Sequence, residues 1–247
     1  FGVVSVSKVS GKDLSMKKVL LYSGGMDSWL ISHLWKPDVK LYIDTGSSYA
    51  AEERRRLPPD ITIEHLDLNR FERADKIIPL RNLFFVMLAS YYGDKICLGA
   101  TYGDRVLDKS VIFAQKASGL LSYLYRPQHW TEGRRISVGV PFKNFTKAEL
   151  LKQYLDEGGD METAFRESFS CYEPDAQGRE CWHCKPCARK AVAFLLNGYH
   201  FEDPAALDGV RSYIAGILPE IQSGTYGRGP KEEDEIIKAY QIMEGQK

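Results

Sequence analysis

Short apolar runs and longer mixed segments alternate along the first two thirds of the chain. Val19–Tyr22, Val39–Ile43, Ile61–Leu66, Lys95–Leu98 and Ile136–Val140 are brief and rich in Val, Ile and Leu, so they read as strands. Between them, Ser28–Leu34, Ala51–Leu57, Arg81–Tyr92, Val111–Tyr123 and Lys147–Leu155 read as helices. This alternation predicts an α/β fold, a parallel sheet with helices on both faces. Arg81–Tyr92 is apolar almost all round, which predicts a helix buried on every side. Ligands of such sheets bind beyond the carboxyl ends of the strands. Those ends are Tyr22-Ser23, Asp44-Thr45-Gly46, Gly99-Ala100-Thr101 and Pro141, so the pattern alone predicts the rim of a site. From Phe169 onward the pattern changes to a cysteine-rich stretch, a helix near Lys185–Leu196, a glycine-rich loop at Gly224–Pro230 and a charged helix at Glu232–Met243.

One turn stands out. Ser23-Gly24-Gly25-Met26-Asp27-Ser28 joins the first strand to the first helix. A glycine-rich turn at a helix N-terminus collects backbone N–H groups and the positive end of the helix dipole, which suits a phosphate. Gly24 and Gly25 permit close approach of the main chain, Ser23 and Ser28 supply hydroxyl donors, and Asp27 is a carboxylate for a metal ion or for fixing the loop. The loop lacks a Gly-Lys-Ser/Thr ending and is therefore not a Walker A motif.

Composition narrows the class. The 247 residues are 44% apolar, enough for a real core, and 33 basic residues balance 33 acidic ones. A neutral total argues against a broad nucleic-acid or membrane footprint, and no apolar stretch approaches bilayer length. A cytoplasmic protein is expected. Phe1–Ser15 reads as an extension or remnant ahead of Met16-Lys17-Lys18. Cys97 lies in an apolar run and reads as a small core residue, whereas Cys171, Cys181, Cys184 and Cys187 crowd together. Two overlapping Cys-x2-Cys units closed by a fourth thiol fit a structural zinc site; an iron–sulfur cluster and redox cysteines are the alternatives. His183, inside this knuckle, reads as a neighbour of the metal, since four sulfurs suffice.

The serine- and glycine-rich turn resembles the pyrophosphate (PP) loop of ATP pyrophosphatases. Together with the cysteine pattern, it resembles the 7-cyano-7-deazaguanine synthase (QueC/ExsB) family. The resemblance spans about Met16 to Leu196. It is carried by Ser23–Ser28, Asp44-Thr45-Gly46, Arg81-Asn82, Gly99, Pro141, Thr146-Lys147, Ser170-Cys171-Tyr172, the knuckle, and Ala188-Arg189-Lys190. It implies an adenine nucleotide alpha hydrolase-like (HUP) fold over 16–168 and a zinc-binding helical region over 169–247. It also implies an ATP-dependent ligase that adenylates 7-carboxy-7-deazaguanine and converts it with ammonia to the nitrile. Carried over residue by residue, Tyr22, Ser23, Gly24, Gly25, Met26, Asp27, Ser28, Asp44 and Gly99 would bind ATP with magnesium. Ser23, Asp27, Ser28, Arg81 and Lys147 would serve catalysis, and the four cysteines would hold zinc. A homodimer is expected. Asp104 and Asp108 are candidates for a metal or the base; Tyr102, Phe142 and Tyr172 are candidates for stacking on it.

The chain departs from the family pattern at Val106–Ser110, at Asp44–Ser48 and in the knuckle, where Cys181-Trp182-His183-Cys184 replaces the usual Cys-Gly-x-Cys. The resemblance extends to relatives in anti-phage defence or phage DNA-modification systems recruited to other acceptors, so a different amine, such as a protein N-terminus, is an alternative acceptor. A tRNA-thiolating PP-loop enzyme and a zinc-stapled binding module are further alternatives. Neutral charge and the closed knuckle weigh against the first, and the intact Ser23, Asp27 and Ser28 against the second.

Overall fold

A computed structural model describes residues 17–171 and 173–245. The expectations for Phe1–Ser15, Met16 and Tyr172 fall outside these described residues. Five parallel strands, β1 (Lys18–Leu21), β2 (Val39–Asp44), β3 (Thr62–His65), β4 (Lys95–Leu98) and β5 (Ser137–Gly139), form one sheet in the order β3-β2-β1-β4-β5. The expected α/β fold is therefore present. β1 lies between β2 and β4, with Leu21 opposite Leu41 on one side and Leu98 on the other. This places the serine- and glycine-rich turn over the middle of the sheet, where strand order reverses and ligands bind in such folds.

Nine α-helices lie in the described residues: α1 (Met26–Trp35), α2 (Ala50–Arg54), α3 (Arg81–Ala89), α4 (Val111–Leu124), α5 (Lys147–Asp156), α6 (Met161–Glu167), α7 (Lys185–Leu196), α8 (Pro204–Gln222) and α9 (Pro230–Glu244). The two-residue period of the strands divides the core. Val19, Leu21, Ile96 and Leu98 face α3 and α4, while Leu20, Tyr22 and Cys97 join a larger cluster with α1, α5, α7, α8 and α9. Cys97 is fully buried, and burial pushes its thiol up to about 12, as suits a small core residue.

Three local readings change. The last strand is shorter than Ile136–Val140, and beside it Ile136 N and Val138 N donate to Ser122 Oγ and Ser118 Oγ of α4. The helix expected over Arg81–Tyr92 ends at Ala89, and it is not buried all round: Phe84 and Met87 are exposed. Its apolar character therefore exceeds what the sheet covers. α6 and α8 had no counterpart in the sequence reading. Both start on an aspartate cap, Asp160 accepting from Thr163 N and Asp203 from Ala205 N.

Candidate functional site

The turn after β1 is built as its sequence suggests. Gly24 takes φ +75°, a left-handed conformation that a β-carbon disfavours, and Gly25 caps α1 in an extended conformation. Ser28 Oγ donates to Gly25 O at 2.9 Å and accepts from Ser23 N at 3.3 Å, so the helix's first turn holds the loop closed. Gly25 bridges Phe169 in parallel, and Met26 N donates to Phe169 O at 2.9 Å. The loop is thus clamped by a segment more than a hundred residues downstream.

Lys147 closes the other side. It opens α5 just after Thr146, whose capping box with Glu149 fixes the helix start. From there Lys147 Nζ donates to Asp27 Oδ1, an ion pair with side chains 10% and 23% exposed. Burial, only partly offset by Asp27, holds the Lys147 ammonium below the usual lysine range. The structure therefore brings together Ser23, Gly24, Gly25, Met26, Asp27, Ser28 and Lys147. Tyr22 is buried beneath the loop, and burial raises its phenol to about 12.

The other candidates are distributed along the rim. Gly99 follows β4, where an added β-carbon would meet Ile31 Cδ1 and Leu21 O, both at 3.9 Å. Asp44 ends β2, but its buried carboxylate pairs with Arg54 and accepts from Gly46 N at 3.0 Å. Burial opposes its charge; these partners prevail and hold it below the usual carboxylate range. Arg81 reaches Tyr49 OH at 2.5 Å and lies over Phe85. Asp104 accepts from Thr101 N at 3.2 Å and pairs with Lys109, and Asp108 sits in a short 3-10 turn. Phe142 packs in the core against Phe145, so its structural position is that of a core residue. Tyr102 lies at the rim under Gly229 and Lys231. Ser47 Oγ, Thr101 Oγ1 and Ser168 Oγ are buried without a hydrogen-bond partner among the described residues. Buried polar atoms without partners are rare, and three around this rim suit a polar ligand.

The four cysteines converge. Their sulfurs lie within 4.8 Å of one another, with Cys181 to Cys187 at 4.0 Å and Cys184 to Cys171 at 3.9 Å. Four thiolates around a tetrahedral ion with bonds of about 2.3 Å stand roughly 3.8 Å apart, so the set is arranged to hold a metal. Glu173 N and Cys181 N both donate to Cys171 Sγ, the usual support for a metal-bound thiolate. His183 turns Nδ1 to Cys181 O at 2.7 Å, beside the cluster. Trp182 takes φ +57°, a conformation that suits glycine. The strain is offset by its ring, which stacks on Phe165 at 5.6 Å and meets Phe201 edge-on at 5.3 Å.

Sequence reading did not reveal the connection between knuckle and loop. Ser170 N donates to Glu180 Oε1 at 2.6 Å, and Lys190 Nζ reaches Glu180 Oε2 at 2.8 Å and Phe165 O at 2.8 Å. Arg56 lies 3.2 Å above the Phe169 ring and donates to Gly178 O. Phe169 thus holds the Ser23–Ser28 turn while its neighbour Ser170 is held by the knuckle. The one signal was two adjacent basic residues, Arg189-Lys190, in an α7 that is otherwise apolar after Lys185. Lys190 is 1% exposed, so Glu180→Ala would leave a buried cation unpaired. We expect a loss of about 3–5 kcal/mol in urea unfolding, with Glu180→Gln retaining more of the stability.

Comparisons with known proteins place the chain in a family. The profile of the family described as "Queuosine biosynthesis protein QueC" matches residues 39–198. That span begins after the Ser23–Ser28 turn and takes in Lys147 and all four cysteines. The 7-cyano-7-deazaguanine synthase of Chlorobium phaeobacteroides (strain BS1) is 24% identical over 241 residues, covering 81% of this chain and 100% of its own length. That of Syntrophobacter fumaroxidans is 28% identical over 176 residues, covering 65% and 68%. That of Magnetococcus marinus is 30% identical over 137 residues, covering 53% and 58%. No solved structure matches the chain significantly. A profile that spans well over half the chain, over a parallel sheet and a four-cysteine knuckle, establishes that this chain belongs to the QueC family.

Proposed function

We propose that this chain is an ATP-dependent carbon–nitrogen ligase. It adenylates 7-carboxy-7-deazaguanine and converts the product with ammonia to 7-cyano-7-deazaguanine. The observation that carries this reading is the meeting of Lys147 and Asp27 at the Ser23–Ser28 turn. A cation, two hydroxyls and a helix N-terminus at one turn suit a polyphosphate. The substrate carboxylate attacks the α-phosphorus and pyrophosphate leaves. Ammonia then attacks the acyl carbon and AMP leaves with one of the former carboxylate oxygens. The amide oxygen then attacks the α-phosphorus of a second ATP, and departure of AMP with that oxygen and of the nitrogen's protons leaves the nitrile.

In this reading Lys147 and the loop amides stabilise charge growing on the pyrophosphate, and Ser23 and Ser28 orient it. Magnesium bound with ATP would supply further charge neutralisation, and Asp27 would be the carboxylate to meet it. Asp44, Gly99 and Arg81 belong to the nucleotide-binding rim. Zinc is the metal that suits four thiolates with no open position, and its role here is structural. No helix among the described residues is long and apolar enough to cross a membrane, and the reading takes the protein as cytoplasmic. The apolar side chains exposed on α3 and α4, among them Phe84, Met87, Leu120 and Tyr123, suit a homodimer. Incubation with ATP, magnesium, the acid and ammonium, read by mass spectrometry, tests the function. Nitrile and AMP are expected; AMP only when a protein amine replaces ammonium would assign the other acceptor, and no AMP in either case would overturn the reading.

A further inference from the structure

The C-terminal helix α9 lies beyond the matched family span, yet it reaches the phosphate-loop side of the molecule. Its first two turns are pinned to the start of α5. Lys231 pairs with Glu149 at 2.6 Å and donates to Asn144 O at 3.0 Å, and Thr146 Oγ1 donates to Glu235 at 2.6 Å. Between these anchors Glu232 points inward and is 5% exposed. Its carboxylate takes Arg189 in a fork, with Nε to Oε1 at 2.6 Å and Nη2 to Oε2 at 3.1 Å, and Arg228 Nε approaches at 3.3 Å.

Arg189 extends from α7 into a small cavity lined also by Lys147, Glu232 and Glu235. Lys147 on the same cavity wall pairs with Asp27, so Arg189 adjoins the Asp27–Lys147 pair. Lys109 and Lys143 also surround Asp104. Lys147, Arg189, Arg228, Lys109 and Lys143 therefore outnumber Asp27, Asp104, Glu232 and Glu235 by one, which leaves room for an added anion. A guanidinium has five donors in a rigid fork. Glu232 engages the Nε edge, which fixes the plane and leaves the Nη1 end for a further acceptor.

We infer that Arg189 is an oxyanion-contacting residue of this site and that Glu232 of α9 is the positioning residue that holds its guanidinium there. The ligand group is a phosphate of the nucleotide or the carboxylate of the acid. The inference rests on the adenylation reading above and extends the site past the matched family span.

A double replacement separates contact from structural support. Arg189→Met alone leaves Glu232 buried near Arg228 and lowers the melting temperature. Arg189→Met with Glu232→Met removes both charges, and such a neutral pair commonly restores stability. Calorimetric titration of the full chain with inorganic pyrophosphate and, separately, with 7-carboxy-7-deazaguanine reads the site. The double variant is expected to melt near the wild type but to bind one of the two probes roughly 10- to 100-fold more weakly. The affected probe identifies the oxyanion. Wild-type affinity for both probes in the double variant would overturn the inference. Should that variant melt below the assay temperature, Arg189→Gln with Glu232→Gln, which keeps a hydrogen-bonded pair, is read by the same criteria. If wild type ignores the acid but binds pyrophosphate, the substrate assignment fails while the pyrophosphate arm still tests Arg189.

Discussion

Lys147→Met is expected to reduce AMP formation by roughly 100- to 1000-fold while the protein stays folded. Lys147 is the cation aimed at Asp27 from a helix start fixed by a capping box. Methionine keeps the aliphatic stem and removes the charge. Asp27 is then left without its cation, but its side chain is 23% exposed, so hydration limits the cost. The converse change is harsher: Asp27→Ala would strand a Lys147 ammonium that burial already disfavours. Comparing the two variants by AMP release and by melting temperature separates catalysis from stability. Lys147→Met with near wild-type AMP release would remove Lys147 from the mechanism.

Loss of the knuckle metal is expected to have the other large effect. Structural zinc contributes on the order of 10–16 kcal/mol to the folding of small zinc-binding peptides, so Cys184→Ser should lose metal and unfold the knuckle. Here the consequence extends further. Ser170 hangs from Glu180, which precedes Cys181, and Phe169 O holds Met26 N in the phosphate loop. Treatment with a strong chelator should therefore release about one zinc per chain and abolish ATP binding with it. Elemental analysis and nucleotide titration on the same sample check both. A metal-free protein that binds ATP normally would break the proposed link.

Much of this was legible in the sequence, and the gaps have physical causes. Strand–helix alternation and the Ser23–Ser28 turn are local signals, since period, turn chemistry and helix start lie within a few residues of each other. The cysteines were legible because metal ligands must cluster in space, and here they also cluster in sequence. α8 was missed because Gly209, Gly216 and Pro219 interrupt its helical pattern, although Asp203-Pro204 is a good helix start. The exposed face of α3 was misread because hydrophobicity reports what a helix can bury, and the sheet covers only one side. The Phe169–Gly25 bridge and the Arg189–Glu232 fork join residues far apart in sequence, so neither leaves a periodic trace.

The central claim is that the substrate acid is activated by transfer of AMP to its carboxylate. Acid labelled with oxygen-18 in the carboxylate, turned over with ATP, magnesium and ammonium, tests it most directly. Attack of the carboxylate on the α-phosphorus leaves a carboxylate oxygen bonded to phosphorus when AMP departs. The account predicts AMP carrying one labelled oxygen, with pyrophosphate unlabelled; label in orthophosphate with ADP as the nucleotide product would contradict it.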